Sequence, residues 1–279
     1  MSSDEIRVLG VLDLHEFLQL TARDPVPNVF VEHRARTTRL DPRWLGGEVW
    51  GRFVADEMVA ACHVGANLVP VQCDPESALA FGARAARLGR RSSTVVGPDE
   101  AVACLWEGID GAWGTPREER WGQPHLETDR PPAIEPDPQV RVTTPDDLGV
   151  LYPACVAMYT EEVGVSPEAT GGTDLYRARV QQLISRGWSF ARIEDGRVVF
   201  KAEVACATPS AAQVQGVYVP EDLRGQGLAT RGMAAVIEHV RRDIAPVVSL
   251  YLNDWNHAAR TAYERAGFVE SGRFATIMF

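Results

Sequence analysis

The sequence predicts an α+β protein whose second half is a three-layer αβα domain, preceded by another mixed α/β half. Three observations lead there. Strand-like and helix-like apolar patterns alternate along the chain instead of segregating. A stretch from Gly122 to Pro138 holds Pro124, Pro131, Pro132, Pro136 and Pro138, a density that blocks helices and removes backbone donors, so it reads as an extended linker. A strand, a glycine-rich loop and a helix follow one another from Val217 to Thr230 and beyond. The linker sets a division into residues 1–125, a proline-rich connection at 126–139, and residues 140–279.

In the first half, Glu48–Ala55 and Met58–Val64 read as neighbouring strands turning at Asp56-Glu57, and Leu68–Gln72 as a third. Pro75–Leu88 is a helix, because Asp74 is a good N-cap and proline suits the first helical position. Ser93–Val96 is a short strand and Asp99–Glu107 a helix. In the second half, Arg141-Val142-Thr143 is a strand, and Thr144 caps a helix running from Pro145 to about Glu162. Asp174–Arg186 is another helix, closed by Gly187. Trp188–Ile193, Val198–Ala207 and Gln213–Val219 are strands, the first two joined by an Asp195-Gly196 hairpin signal. Thr230–Arg242 is a helix with Met233, Val236, Ile237 and Val240 on one face. Val247–Leu252 is a strand, and Asn256–Ala266 is a helix ended by Gly267. Phe268–Ser271 and Phe274–Phe279 close the second domain as strands. Both halves share a β-α-β-α tail, without visible sequence repetition.

Composition narrows the function classes. With 45% hydrophobic and 24% charged residues in 279, the chain buries a core of ordinary size. A net charge of −10 argues against a nucleic-acid surface or an anionic membrane as partner. It is compatible with a cationic substrate. The five cysteines form no C-x-x-C pair, which fits a reduced, cytoplasmic setting. The histidines are scattered, so no metal site is expected. Neither a secretory signal nor an apolar run of roughly 18 residues is seen. Lys201 is the only lysine, which reads as base-composition bias.

The sharpest signal is Arg224-Gly225-Gln226-Gly227-Leu228-Ala229, placed between a strand and a helix. A helix start offers unpaired N–H groups and a positive dipole end, and glycines let backbone approach an anion closely. Arg224 and Arg231 add positive charge. The spacing fits neither G-x-x-x-x-G-K-[ST] nor G-x-G-x-x-G, so Walker-type and dinucleotide loops are excluded.

Arg224-x-x-Gly227-x-Ala229 resembles the acetyl-CoA loop of GNAT acyltransferases, [Q/R]-x-x-G-x-[G/A], and Val217-Tyr218-Val219-Pro220 resembles that family's lead-in. The family's N-x-x-A-x-x-x-Y-x-x-x-G-F run is matched by Asn256, Ala259, Tyr263, Gly267 and Phe268. The resemblance covers residues 140–279 and implies a mixed, splayed sheet with acetyl-CoA as co-substrate. The first half, lacking such a loop, resembles a degenerate GNAT-like partner, as in tandem actinobacterial proteins similar to mycothiol synthase. It is not expected to bind coenzyme A tightly.

By this resemblance, Val217, Tyr218 and Val219 line the pantetheine arm. The backbone of Gly225, Gln226, Gly227, Leu228, Ala229 and Thr230, with Arg224, holds the pyrophosphate. For Leu223 and Leu228, packing of the helix on the sheet is the favoured reading. Asn256 sits near the pantetheine, and Tyr263 protonates the leaving thiolate. Some relatives place a glutamate base where this chain has Gln213. Glu203, a water relay and the Phe279 carboxylate remain as base candidates. Glu161, Glu162 and Asp174 could face an amine. The implied activity is direct acetyl transfer to a small-molecule or peptide amine by a monomer or homodimer, without metal. The alternative is an acyl-CoA-binding sensor or scaffold without turnover.

Overall fold

The computed structural model describes residues 4–279. They form two compact units, each discontinuous in sequence. Met1–Leu126, Tyr251–Trp255 and Glu270–Phe279 make the first, and Glu127–Leu250 and Asn256–Val269 the second.

The first unit contains β1 (Asp4–Val8), α1 (Leu14–Thr21), α2 (Val29–Thr38), α3 (Pro42–Leu45), β2 (Glu48–Val54), β3 (Glu57–Val64), β4 (Asn67–Val71), α4 (Pro75–Leu88), β5 (Thr94–Pro98), α5 (Asp99–Ile109) and most of β6 (Glu118–Thr128). Its strand order is β1-β2-β3-β4-β5-β12-β6, where β12 is Val269–Met278. One face of this sheet is buried in a cluster with Trp50, Cys62, Leu68, Phe81 and Leu105; the other in a cluster with Phe17, Leu20, Leu45, Met58 and Val71. Burial on both faces explains why these strands read as nearly unbroken apolar runs. Asp74 caps α4 by accepting from the Ser77 N–H at 2.8 Å, as its position before Pro75 predicts.

The second unit contains β7 (Arg141–Val142), α6 (Leu148–Val163), α7 (Thr173–Ser185), β8 (Ser189–Glu194), β9 (Arg197–Ala207), β10 (Ala211–Tyr218), α8 (Leu228–Asp243), β11 (Val247–Tyr251, the last residue aside) and α9 (His257–Ala266). The order is β11-β10-β9-β8-β7, with only the β10–β11 pair parallel. Asp195 and Gly196 join β8 to β9 with φ of 47° and 71°, the left-handed pair that a tight hairpin requires. Residues alternate in facing along β9. A Cβ added to Gly232 of α8 would meet the Phe200 ring at 2.6 Å, so α8 covers that face. Cys155 of α6 borders the neighbouring Lys201, so α6 covers the other. Met233, Val236, Ile237 and Val240 are all fully buried, matching the predicted face of α8.

Residues 126–139 are tied down along their length: β6 extends to Thr128, and Ala133 and Asp137 donate to the backbone carbonyls of Ala266 and Arg231. The Asp137 carboxylate is nearly buried and pairs with Arg192 at 2.8 Å. Only Pro124 falls inside the strand, where its carbonyl still accepts from the Leu252 N–H. The two closing segments, read as strands of the second domain, are one strand, β12. Its residues Phe274–Met278 pair antiparallel with Thr94–Pro98 of β5 in the first unit.

Candidate functional site

The glycine loop has a backbone geometry that suits an anion. Gly225 and Gly227 both have φ of 77°, and Gly227 is the N-cap of α8. Left-handed residues at these two positions turn successive N–H groups toward one side, and the first turn of α8, Leu228 to Thr230, adds unpaired donors. The helix starts at Leu228, two residues earlier than the apolar pattern implies. Arg224 to Gly227 are exposed, while Leu228, Ala229 and Thr230 are half-buried. Arg224 does not project outward: its Nε donates to the Val219 carbonyl at 3.0 Å, and its guanidinium pairs with Glu161 of α6 at 2.7 Å. It thereby ties the loop to the end of β10 and to α6.

Strand β10 leaves its parallel neighbour early. Ala211, Ala212 and Gln213 pair with Val247, Val248 and Ser249, and the pairing then stops. Val217 and Tyr218 lie beyond that point, half-buried, and Val219 is 9% exposed. The splayed edge offers backbone to an extended ligand in the manner of an added strand. Asn256 is the N-cap of α9, its side-chain oxygen accepting from the Ala259 N–H at 3.1 Å. That leaves its amide N–H groups as donors. Tyr263 is buried and meets the edge of Phe268 at 6.2 Å between ring centroids. Burial raises the Tyr263 pKa above its ordinary value, and the Glu162 carboxylate adds to this, so the phenol holds its proton.

Glu203 sits on β9 at 6% exposure. Its Oε1 accepts from the Gln215 side-chain amide at 2.8 Å, and its Oε2 lies 3.3 Å from the Lys201 ammonium. Lys201 is fully buried and also donates to the Gly216 carbonyl at 2.8 Å. Burial alone lowers the Lys201 pKa, but Glu203 and Cys155 beside it outweigh burial and leave it raised. Gln213 of β10 is half-buried with the Cys206 thiol 3.9 Å from its oxygen. Lys201, Gln215 and Gly216 were missed from sequence. A lone lysine in an arginine-only chain, alternating with apolar residues on a strand, was the available signal.

Phe279, whose carboxylate is another base candidate, has its side chain and N–H engaged within the first unit: its ring lies on Trp106 and Trp113, each at 5.7 Å, and its N–H on the Ser93 carbonyl. Glu161 is held by Arg224, and Glu162 and Asp174 are exposed. Burial raises the thiols of Cys155 and Cys206 to about 11 and about 12, so neither is a thiolate nucleophile near neutral pH.

The first unit has a comparable strand-loop-helix at β4 and α4, with different chemistry. β4 and β5 are parallel but in register only over Asn67–Leu68 and Thr94–Val95. The Pro70 ring packs against Gly97, where an added Cβ would stand 3.2 Å from it. The start of α4 is already met by the Asp74 carboxylate and carries Glu76 in its first turn. A helix start holding its own anion does not favour a second one.

Comparisons with known proteins bear on the family and the fold. Residues 175–268 match the model of the Acetyltransferase (GNAT) family, and residues 47–151 match a domain of unknown function, DUF4081. The chain is 33% identical over 108 residues to the mycothiol acetyltransferase of Brachybacterium faecium, a match spanning 36% of this chain and 33% of that protein. Three solved structures share the fold over nearly the whole chain. An acetyltransferase from the GNAT family of Colwellia psychrerythraea has a TM-score of 0.60 at 14% identity, covering 99% of both chains. A tandem GNAT protein from the clavulanic acid biosynthesis pathway has 0.59 at 17%, covering 98% of both. A GCN5-related N-acetyltransferase from Sphaerobacter thermophilus has 0.64 at 17%, covering 98% of this chain and 94% of that one.

Proposed function

With residues 175–268 matching the GNAT acetyltransferase family model, we propose that this protein moves an acetyl group from acetyl-CoA directly to the amine of a small-molecule or peptide acceptor. The observation that carries this is the pairing of the Gly225–Gly227 cradle at the start of α8 with the splayed edge of β10 beyond Gln213. The cradle suits a pyrophosphate and the open edge suits the amides of a pantetheine arm. Arg224 supports the loop from behind through Val219 and Glu161.

The transfer needs no covalent enzyme intermediate. The neutral amine nitrogen attacks the thioester carbonyl carbon, and a backbone N–H of β10 stabilises the oxyanion. The C–S bond then breaks, the amide forms, and coenzyme A leaves as a thiol on taking the Tyr263 proton. Glu203, through a water, receives the proton lost by the amine; its carboxylate has lone pairs beyond those facing Lys201 and Gln215. The first unit does not hold coenzyme A on this reading, because Pro70 and Asp74 occupy the places a pantetheine and a pyrophosphate would need.

No helix among the described residues is long and apolar enough to cross a membrane, and the five cysteines are free. The free cysteines support a reduced, cytoplasmic setting on this reading. The test is calorimetry of the whole chain with acetyl-CoA, followed by mass spectrometry of products from a panel of amines. One acetyl-CoA per chain and an acetylated amine are expected. Binding without any product across the panel favours a sensor or scaffold instead, and absence of binding refutes the reading.

A further inference from the structure

The sole lysine of the chain is fully buried, where ammonium groups are costly unless paired. Its Nζ does more than meet Glu203: it donates to the carbonyl of Gly216 at 2.8 Å. The β9–β10 register steps from Gln215 opposite Glu203 to Tyr218 opposite Lys201, so Gly216 and Val217 form a bulge, two residues against Ala202 alone on β9. Gly216 has φ of 62°, and a Cβ there would lie 3.0 Å from Glu203 and 3.1 Å from the Lys201 nitrogen. Glycine is required on both counts.

In a trans peptide, the carbonyl of one residue and the N–H of the next point in opposite directions. The Gly216 carbonyl is turned toward β9 by Lys201. The N–H of Val217 therefore points away from Lys201, in a part of β10 where pairing with β11 has already ended at Gln213. We propose that Lys201 is a positioning residue: by gripping the Gly216 carbonyl it aims the Val217 N–H at the thioester oxygen of acetyl-CoA. The inference rests on the acetyl-CoA reading above. The N–H gives up no proton; it hydrogen-bonds to the oxygen as negative charge develops there.

The simpler role for Lys201 is to neutralise Glu203, and two variants separate the roles. Glu203→Gln removes the charge partner and keeps the grip on Gly216. Lys201→Met/Glu203→Gln removes the grip and both charges together, avoiding the buried unpaired carboxylate that Lys201→Met alone would leave. The readout is the infrared carbonyl stretch of acetyl-CoA labelled with carbon-13 at the thioester, bound to the whole protein, alongside calorimetric affinity and kcat. Wild type and Glu203→Gln are expected to shift the stretch to lower frequency than in water. The double variant loses the shift, keeps its affinity for acetyl-CoA, and falls about 10²-fold in kcat below Glu203→Gln, the usual loss for one oxyanion donor. A double variant that folds, binds and keeps the shift overturns the proposal, as does a wild type that binds and acetylates without shifting it. Failure of the wild type to bind acetyl-CoA overturns the underlying reading as well.

Discussion

Replacing Ile277 by alanine tests where β12 belongs. Ile277 is fully buried, stands opposite Val95 of β5, and lies in the cluster with Trp50, Phe81 and Leu105. The change removes three carbon atoms, worth about 2.4 kcal/mol at roughly 0.8 kcal/mol per methylene. The cavity left in a core this well enclosed raises the cost to about 3–4 kcal/mol. At about 1.4 kcal/mol per factor of ten, amides that exchange by opening of the first unit should speed up roughly 10²- to 10³-fold. Native-state hydrogen exchange by mass spectrometry reads this directly. Peptides from β5 and α5 are expected to lose protection by that factor. Unchanged protection there, with loss confined to β9, β10 and α8, refutes the assignment of β12 to the first unit.

On the proposed mechanism, in which Tyr263 is the proton donor, Tyr263→Phe should lower kcat by about 10²-fold or more while leaving the affinity for acetyl-CoA unchanged; steady-state kinetics with calorimetry checks the split. Gly227→Val forces a branched side chain into a φ of 77° at the cap of α8, and calorimetry should show acetyl-CoA binding weakened at least about tenfold. Acid should destabilise the first unit through His63 and His125, whose pKa values burial holds down at about 4. Both take up protons more readily when unfolded, so the stability from keeping them neutral is complete above about pH 6.5 and is lost as pH falls from there to about 4. A melting temperature flat across that window refutes this.

Local chemistry was legible in the sequence where it acts over a few residues. Asp74 and Pro75 announced α4, Asp195-Gly196 announced the β8–β9 hairpin, and the apolar spacing from Met233 to Val240 announced the buried face of α8. Helices α1–α3 were not read. In α2 a buried Glu32, paired with Arg36 at 2.7 Å, spoils the apolar stripe that would reveal it. β6 was hidden by its prolines, although only Pro124 lies within it. The strand signal of residues 268–279 was present, but its partner was not, because pairing with β5 joins residues about 180 positions apart and leaves no local trace. At the candidate site, the motifs singled out the loop, Asn256 and Tyr263. They did not show that Arg224 folds back onto Glu161, or that Glu203 shares its carboxylate with Lys201 and Gln215. Those contacts depend on which face of β9 meets α6.

Putting the only lysine of the chain beneath a strand leaves the folded protein without an accessible lysine amine. Acetyl-CoA is itself a mild acylating reagent toward such amines. On the proposed function, a protein that holds it in place would otherwise offer its own surface as the nearest target. With arginine everywhere else, whose guanidinium stays protonated, the surface keeps its positive charges yet presents no lysine nucleophile to self-modification. Amine-directed cross-linkers and lysine-targeted tags should likewise find no lysine to react with until the second unit opens.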